Sequence, residues 1–218
     1  MNPTPRLLFI SAVFITCLIT ANTIAVKLIA VGPWTLPAAV IVFPLSYIFG
    51  DILTEVYGFR WARRTIWLGF FCNLIFVFFV WLGGVLPASP VWPGQEAYQA
   101  ILGFAPRVLL ASFAGYLVGE FANSIILSRL KLATRGRWLW LRTIGSTIIG
   151  QGLDTAVFIT IAFAGPSFMP VIILYHWLAK IAIEVAATPV TYWAVGYLKR
   201  KDGVDAYDEH TNLNPFSF

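Results

Sequence analysis

The chain has 218 residues, of which 59% are hydrophobic, 16% aromatic and only 11% charged, with a formal net charge of +5. Mean hydropathy is +0.78. Soluble domains run near a quarter charged, so this balance excludes an ordinary soluble enzyme or binding module and describes an integral membrane protein. The positive charge, which in a polar chain would suggest nucleic acid, is accounted for by loops beside a membrane, so no nucleic-acid partner is expected.

A spanning helix needs ~20 mostly apolar residues. Six such stretches follow in chain order: Leu7–Val31, Leu36–Gly58, Thr65–Leu86, Phe104–Ser128, Thr143–Gly165 and Pro170–Leu198. The expected fold is therefore all-α and integral to the membrane, with six transmembrane helices in one domain over residues 1–200. A short cytoplasmic tail over 201–218 reads as mobile. The first stretch is too long for a signal-peptide core and lacks a small-residue cleavage site, so it reads as a span. Pro37, Pro106 and Pro170 stand at span starts, where a missing backbone donor matters little. Pro44 and Pro189 fall inside spans and predict kinks.

Basic residues sort by loop. Arg6 precedes the first span; Arg60, Arg63 and Arg64 follow the second; Arg129, Lys131, Arg135, Arg137 and Arg142 lie between the fourth and fifth; Lys199, Arg200 and Lys201 follow the sixth. The other connections hold almost none, with Arg107 just inside the fourth span. The positive-inside rule predicts both termini in the cytoplasm, and for a bacterial chain residence in the inner membrane. The basic loops read as topology determinants and headgroup contacts, with lipid as their partner. Ala21-Asn22-Thr23-Ile24 echoes Ala122-Asn123-Ser124-Ile125. With three spans per half, the second copy would be inverted, a 3+3 arrangement in which transporters hold substrate near the midplane.

Besides Arg107 at the edge of the fourth, seven charged residues sit within the apolar stretches: Asp51, Glu55, Glu120, Asp154, Glu184, Lys27 and Lys180. A charge at the bilayer centre costs at least ~2.5–3.5 kcal/mol, so such groups face a polar interior, pair, or handle a ligand. Helical spacing arranges them in stripes. Span two carries Tyr47, Asp51 and Glu55; span four Tyr116, Glu120 and Asn123/Ser124; span five Gln151, Asp154 and Thr155; span six His176, Lys180, Glu184 and Thr188. Span one contributes Asn22 beside Thr16, Thr20, Thr23 and Lys27. Span three has only Asn73 and is expected to face lipid or a second copy in a homodimer.

Each stripe has a plain structural alternative. Lys180 and Glu184, four residues apart, are spaced to neutralise one another, and Glu55 has Arg60, Arg63 and Arg64 close in sequence. Glu120 and Asp154 have no base within a turn, so each needs a partner from another helix, a proton or a ligand. Cys17 and Cys72 read as buried apolar residues. No metal-ligand spacing, phosphate loop or nucleophile set appears, so no metal, cofactor or enzymatic activity is expected. The predicted substrate-binding set is Asn22, Asp51, Glu55, Glu120, Asn123, Gln151, Asp154, Lys180 and Glu184.

The segment Phe43–Phe70, FPLSYIFGDILTEVYGFRWARRTIWLGF, resembles the signature of the queuosine precursor transporter family, also called the vitamin uptake transporter family. The resemblance rests on Phe43-Pro44, Gly50-Asp51, Thr54-Glu55-Val56-Tyr57-Gly58 and Arg63-Arg64. It is supported by Glu120-Phe121-Ala122-Asn123, by Gln151-Gly152 through Asp154-Thr155, and by Lys180 with Pro189. It implies import of a small molecule, 7-cyano-7-deazaguanine or 7-aminomethyl-7-deazaguanine. A guanine-like edge presents two adjacent donors that one carboxylate accepts as a fork; Glu184, Glu120 and Asp154 remain open for that role. The competing reading is the substrate-binding subunit of an energy-coupling-factor importer, where Ala21-xxx-Ala25 would dock the coupling subunit.

Overall fold

The computed structural model describes residues 4–31, 34–103, 106–163 and 169–217. Helix α1 spans Pro5–Ile24; the Thr4 side chain accepts a hydrogen bond from Leu7 N at 3.1 Å and Pro5 occupies the first turn. Both features suit a helix start, where backbone donors lack partners. Its buried residues Leu7, Ile10, Phe14, Leu18 and Ala21 recur every three or four positions and form one stripe.

The first apolar stretch is not helical throughout. Strand β1 (Leu28–Val31) pairs antiparallel with β2 (Trp34–Pro37). A short apolar run beside turn-forming residues fits a strand as well as a helix, which hydropathy alone does not distinguish. Lys27 consequently lies beyond α1, exposed, rather than inside a span. A 3₁₀ turn (Ala38–Ile41) leads into α2 (Phe43–Ile52), so Pro44 falls in the first turn of α2, at a start and not at an interior kink. The second span then continues as a π-helical turn, Leu53–Tyr57, and ends at Gly58. Gly58 has φ +86°, a backbone region that favours glycine.

Helix α3 (Phe59–Val85) buries Phe59, Ala62, Ile66 and Val77 but exposes Leu68, Phe71, Ile75, Phe78 and Phe79. The short α4 (Gln95–Leu102) lies against the far end of α3, where Tyr98 Oη donates to Val80 O at 2.8 Å. Three long helices follow: α5 (Pro106–Ala133), α6 (Leu139–Phe163) and α7 (Met169–Asp202), the last with Pro189 inside it. The expected span limits at Phe104 and Gly165 lie outside the described residues. Among the described residues, six segments are long and apolar enough to cross a membrane: Pro5–Ile24, Ala38–Tyr57, Phe59–Val85, Leu110–Ala133, Leu139–Ile161 and Ile173–Asp202.

Helix α5 packs most extensively on α6, α7 lies on α6 and α2, and α1 on α2 and α3. The α5–α6 approach is close because glycines line it. A Cβ on Gly119 would come 2.6 Å from Asp154 Cβ, and one on Gly150 2.7 Å from Asn123 Cβ. Gly115 and Gly119 form a Gly-xxx-Gly pair, the small-residue spacing that lets membrane helices touch.

The start of α1 meets the end of α7. Arg6 Nη1 donates to Asp202 Oδ1 at 2.5 Å, and Thr4 Oγ1 and Tyr57 Oη donate to its other oxygen at 2.9 and 2.7 Å. The basic loops gather at this same end. The tail beyond α7 is held there too: Ala206 N donates to Val56 O at 3.0 Å, and Arg63 Nη1 donates to Asn212 O and Asn214 O. It is thus docked rather than loose, because backbone and carboxylate groups at the bundle end supply its partners.

Candidate functional site

Four helices bring their polar stripes to one place. Asp51 on α2 accepts from Asn123 Nδ2 on α5 at 2.7 Å. Lys180 on α7 donates to Asp154 Oδ2 on α6 at 2.6 Å, and its ammonium sits 4.5 Å from the centroid of the Phe43 ring. Glu184 on α7 accepts from the Thr147 hydroxyl on α6. Glu120 on α5 lies in the electrostatic field of Asp154, Glu184 and Lys180. All of these side chains except Phe43 are buried.

The expected Lys180–Glu184 neutralisation does not form. Lys180 reaches across to α6, and Asp154 finds there the cross-helix partner that its own sequence neighbourhood lacks. A buried charge without an opposite charge is costly, and direct pairing at hydrogen-bond distance offsets much of that penalty.

What distinguishes the cluster is what its members leave open. Among the described residues, both oxygens of Glu120, both amide atoms of Gln151, one oxygen of Glu184, Asn123 Oδ1, Ser124 Oγ and Tyr47 Oη have no hydrogen-bond partner, although they are buried. Gln151 lies beside Glu184, near enough for a polar interaction but without hydrogen-bond geometry. Buried polar groups are nearly always satisfied, so such a concentration marks a place suited to a ligand or ordered water. The backbone is shaped for it: a Cβ on Gly50 would come 3.0 Å from Glu120 Oε2.

Two members of the expected set stand apart. Asn22 accepts from Ser112 Oγ at 2.9 Å; Ser112 is eight residues, or ~12 Å, from Glu120 along α5. Glu55 is fully buried one turn beyond Asp51 and is engaged by bases from three helices. Arg142 grips it through Nη2–Oε1 at 2.8 Å and Nε–Oε2 at 3.2 Å, Lys199 reaches Oε1 at 2.7 Å, and Lys131 lies 3.6 Å away. The nearby Arg60, Arg63 and Arg64 are not its partners. Tyr116, on the expected stripe, instead donates to Ile66 O of α3 at 2.8 Å.

Several contributors were not singled out from sequence. Thr147 is an ordinary helix residue until α7 is placed beside it. Arg142 and Lys131, read as loop topology signals, are buried structural cations. Gly115 and Gly119 carried a legible signal in their four-residue spacing. Outside the membrane, burial disfavours the charge of Asp205, but hydrogen bonds and charge from Lys131 and Lys199 outweigh it and hold its carboxyl below the usual range.

Six apolar crossings around buried, partly unpartnered acids define a multi-pass membrane protein with a polar interior. Residues 37–194 match the profile of the family described as putative vitamin uptake transporter, and the chain belongs to that family. The probable queuosine precursor transporter of Bacillus subtilis (strain 168) is 32% identical over 184 residues, covering 81% of this chain and 79% of the relative. The probable queuosine precursor transporter of Haemophilus influenzae is 31% identical over 121 residues, 56% of this chain and 49% of the relative. The queuosine precursor transporter of Escherichia coli (strain K12) is 29% identical over 121 residues, 56% and 52% respectively. No solved structure matches the chain. The protein is a membrane transporter and not an enzyme.

Proposed function

We propose that the chain imports a queuosine precursor, 7-cyano-7-deazaguanine or 7-aminomethyl-7-deazaguanine, across the bacterial inner membrane. The relatives named as queuosine precursor transporters and the family profile support the substrate class. The basic end of the bundle, which carries both termini, faces the cytoplasm by the positive-inside rule.

The observation that carries the reading is Glu120: a buried carboxylate with neither oxygen hydrogen-bonded among the described residues, on α5 packed against α6, which carries the buried Gln151 amide, likewise without a partner among them. A carboxylate with two free oxygens is an acceptor fork for the ring N–H and exocyclic amine of a guanine-like edge. Gln151 supplies a donor for the adjacent ring carbonyl. The competing acids are partly occupied, Asp154 by Lys180, Asp51 by Asn123 and Glu184 by Thr147. The free oxygen of Glu184 suits the ammonium of the aminomethyl compound. Phe43 and Tyr47, with rings 6.4 Å apart, offer faces for a planar base, where stacking is worth ~1–3 kcal/mol. Glu55 and Asn22, already engaged elsewhere, are outside this set.

The test is uptake of labelled 7-cyano-7-deazaguanine by cells unable to make it. The chain restores uptake, and Glu120→Gln abolishes it. Uptake by Glu120→Gln, Asp154→Asn and Glu184→Gln at the parental rate overturns the site. Transport by the purified chain alone in liposomes separates a self-sufficient carrier from a binding subunit, which would only bind.

A further inference from the structure

The segment after α7 makes an unusual set of contacts for a polar terminal tail. Its Asp208 is buried, and one of its oxygens accepts from Phe59 N at 2.9 Å and from Ser128 Oγ at 2.8 Å. Phe59 is the first residue of α3, and the first donors of a helix have no partner within it. The tail thus supplies, from 149 residues away, the acceptor that Gly58 cannot offer. A carboxylate there also complements the positive end of the helix dipole.

The same segment closes on the π-turn itself. Ala206 N donates to Val56 O at 3.0 Å. Lys131 Nζ donates to Glu55 O at 2.6 Å, Ala206 O at 2.6 Å and Asp205 Oδ1 at 2.5 Å, joining α5, the π-turn and the tail through one ammonium. Lys199 links Glu55 to Asp205 in parallel, at 2.7 and 2.9 Å. Contact is tight enough to exclude a side chain at Gly58, whose Cβ would come 3.1 Å from Ala206 Cβ and 3.2 Å from Asp208 Oδ1. Farther along, Trp67 Nε1 donates to Pro215 O at 2.8 Å and Arg63 Nη1 to Ser217 Oγ at 2.6 Å.

The π-turn is the mechanically special part of the second span. It carries Glu55 and directly follows the segment bearing Asp51, and such turns recur at functional sites. A transporter must open its buried site to each side in turn, and at the end where α1 starts and α7 finishes, Glu55, its three bases and the tail tie the π-turn to α5, α6 and α7.

We propose that residues 203–217 form a latch that locks the π-turn and closes this end of the substrate path, and that Asp208 is the positioning residue whose release accompanies opening. The latch rests on the chain being a transporter and not on the identity of what it carries.

Two measurements test it, both on the full chain with Cys17 and Cys72 replaced by alanine. In nanodiscs, a cysteine at the buried position Thr54 is labelled slowly by a maleimide. Asp208→Ala raises that rate at least tenfold, and Asp208→Asn, which keeps an acceptor for Phe59 N, restores most of the protection. Labelling at the parental rate in a monodisperse Asp208→Ala protein overturns the latch, and this readout needs no substrate. In liposomes, Lys199→Cys/Asp205→Cys is bridged with a short reducible bis-methanethiosulfonate. Counterflow of labelled 7-cyano-7-deazaguanine then stops while its binding persists, and reductant restores transport. Undiminished counterflow in the bridged protein overturns the proposal. If Asp208→Ala does not fold, the bridged variant, which retains Asp208, decides. A chain that neither binds nor moves the compound would refute the substrate reading while leaving the labelling result to judge the latch.

Discussion

Lys180, on α7, binds Asp154, on α6, at 2.6 Å and passes over Glu184, one turn along its own helix. The pair is buried on both sides and joins two helices whose stripes otherwise hold an excess of acid. Removing one partner strands a buried charge, whereas removing both does not. Lys180→Met is expected to destabilise the protein by ~3–5 kcal/mol. Lys180→Met/Asp154→Asn should recover most of that loss, read as thermal midpoints in detergent. Additive losses in the double variant would show that the two groups do not act as a pair.

Glu120 makes no hydrogen bond within the described residues, so Glu120→Gln removes little from the folded state. Its effect should fall on the ligand. A hydrogen bond to a charged group contributes ~1.5–3 kcal/mol, so affinity for the labelled deazaguanine should weaken by about 10–100-fold. The thermal midpoint without ligand should stay within a degree or two of the parent. Equilibrium binding to the purified chain measures the first quantity and a melting curve the second.

Gly119 allows α5 and α6 to touch, with Asp154 Cβ and Tyr47 Oη each 2.6 Å from where its Cβ would lie. Gly119→Ala should destabilise by about 1–3 kcal/mol through overpacking. It should also impair binding, since the displaced groups are Asp154 and Tyr47. Gly145→Ala on α6, where the nearest atom to a Cβ is 3.4 Å away, is the matched control and should be near neutral.

Asp205 gives the tail an acid-sensitive contact. Its folded pKa lies below its ordinary value of 3.8, so its contribution is present above that value. It is lost as pH falls through the folded pKa, when Lys131 and Lys199 lose one of their two negative partners, Glu55 being the other. Asp205→Asn should therefore lower the thermal midpoint at pH 6 to 7, and the difference from the parent should shrink below about pH 4. A gap that persists unchanged into acid would assign the effect to something other than charge.

The span count was readable because it depends on composition and length alone, and five of the six stretches recur as spans, the expected limits at Phe104 and Gly165 lying outside the described residues. The first did not survive whole: Leu28–Val31 is as apolar as α1, and hydropathy is blind to its pairing with Trp34–Pro37. Periodicity likewise put Asp51, Glu120, Gln151, Asp154 and Glu184 on inward faces, since side-chain direction in a helix is a local property. It failed for Lys27, which lies past the helix end; and closeness in sequence, which offered Arg60, Arg63 and Arg64 to Glu55, missed Arg142 and Lys199.

The amino-acid order by itself determined that this is a membrane-crossing bundle, which loops carry its basic charge, and which residue types lie within its spans. Those properties follow from transfer free energy and from the 3.6-residue repeat, each evaluated within one segment. The tertiary structure decided who pairs with whom: Asp154 with Lys180, Glu55 with Arg142, Lys131 and Lys199, Asp208 with the start of α3, and Glu120 with no hydrogen-bond partner among the described residues. A buried charge seeks its nearest compatible partner in space, and helices packed side by side bring together residues scores of positions apart.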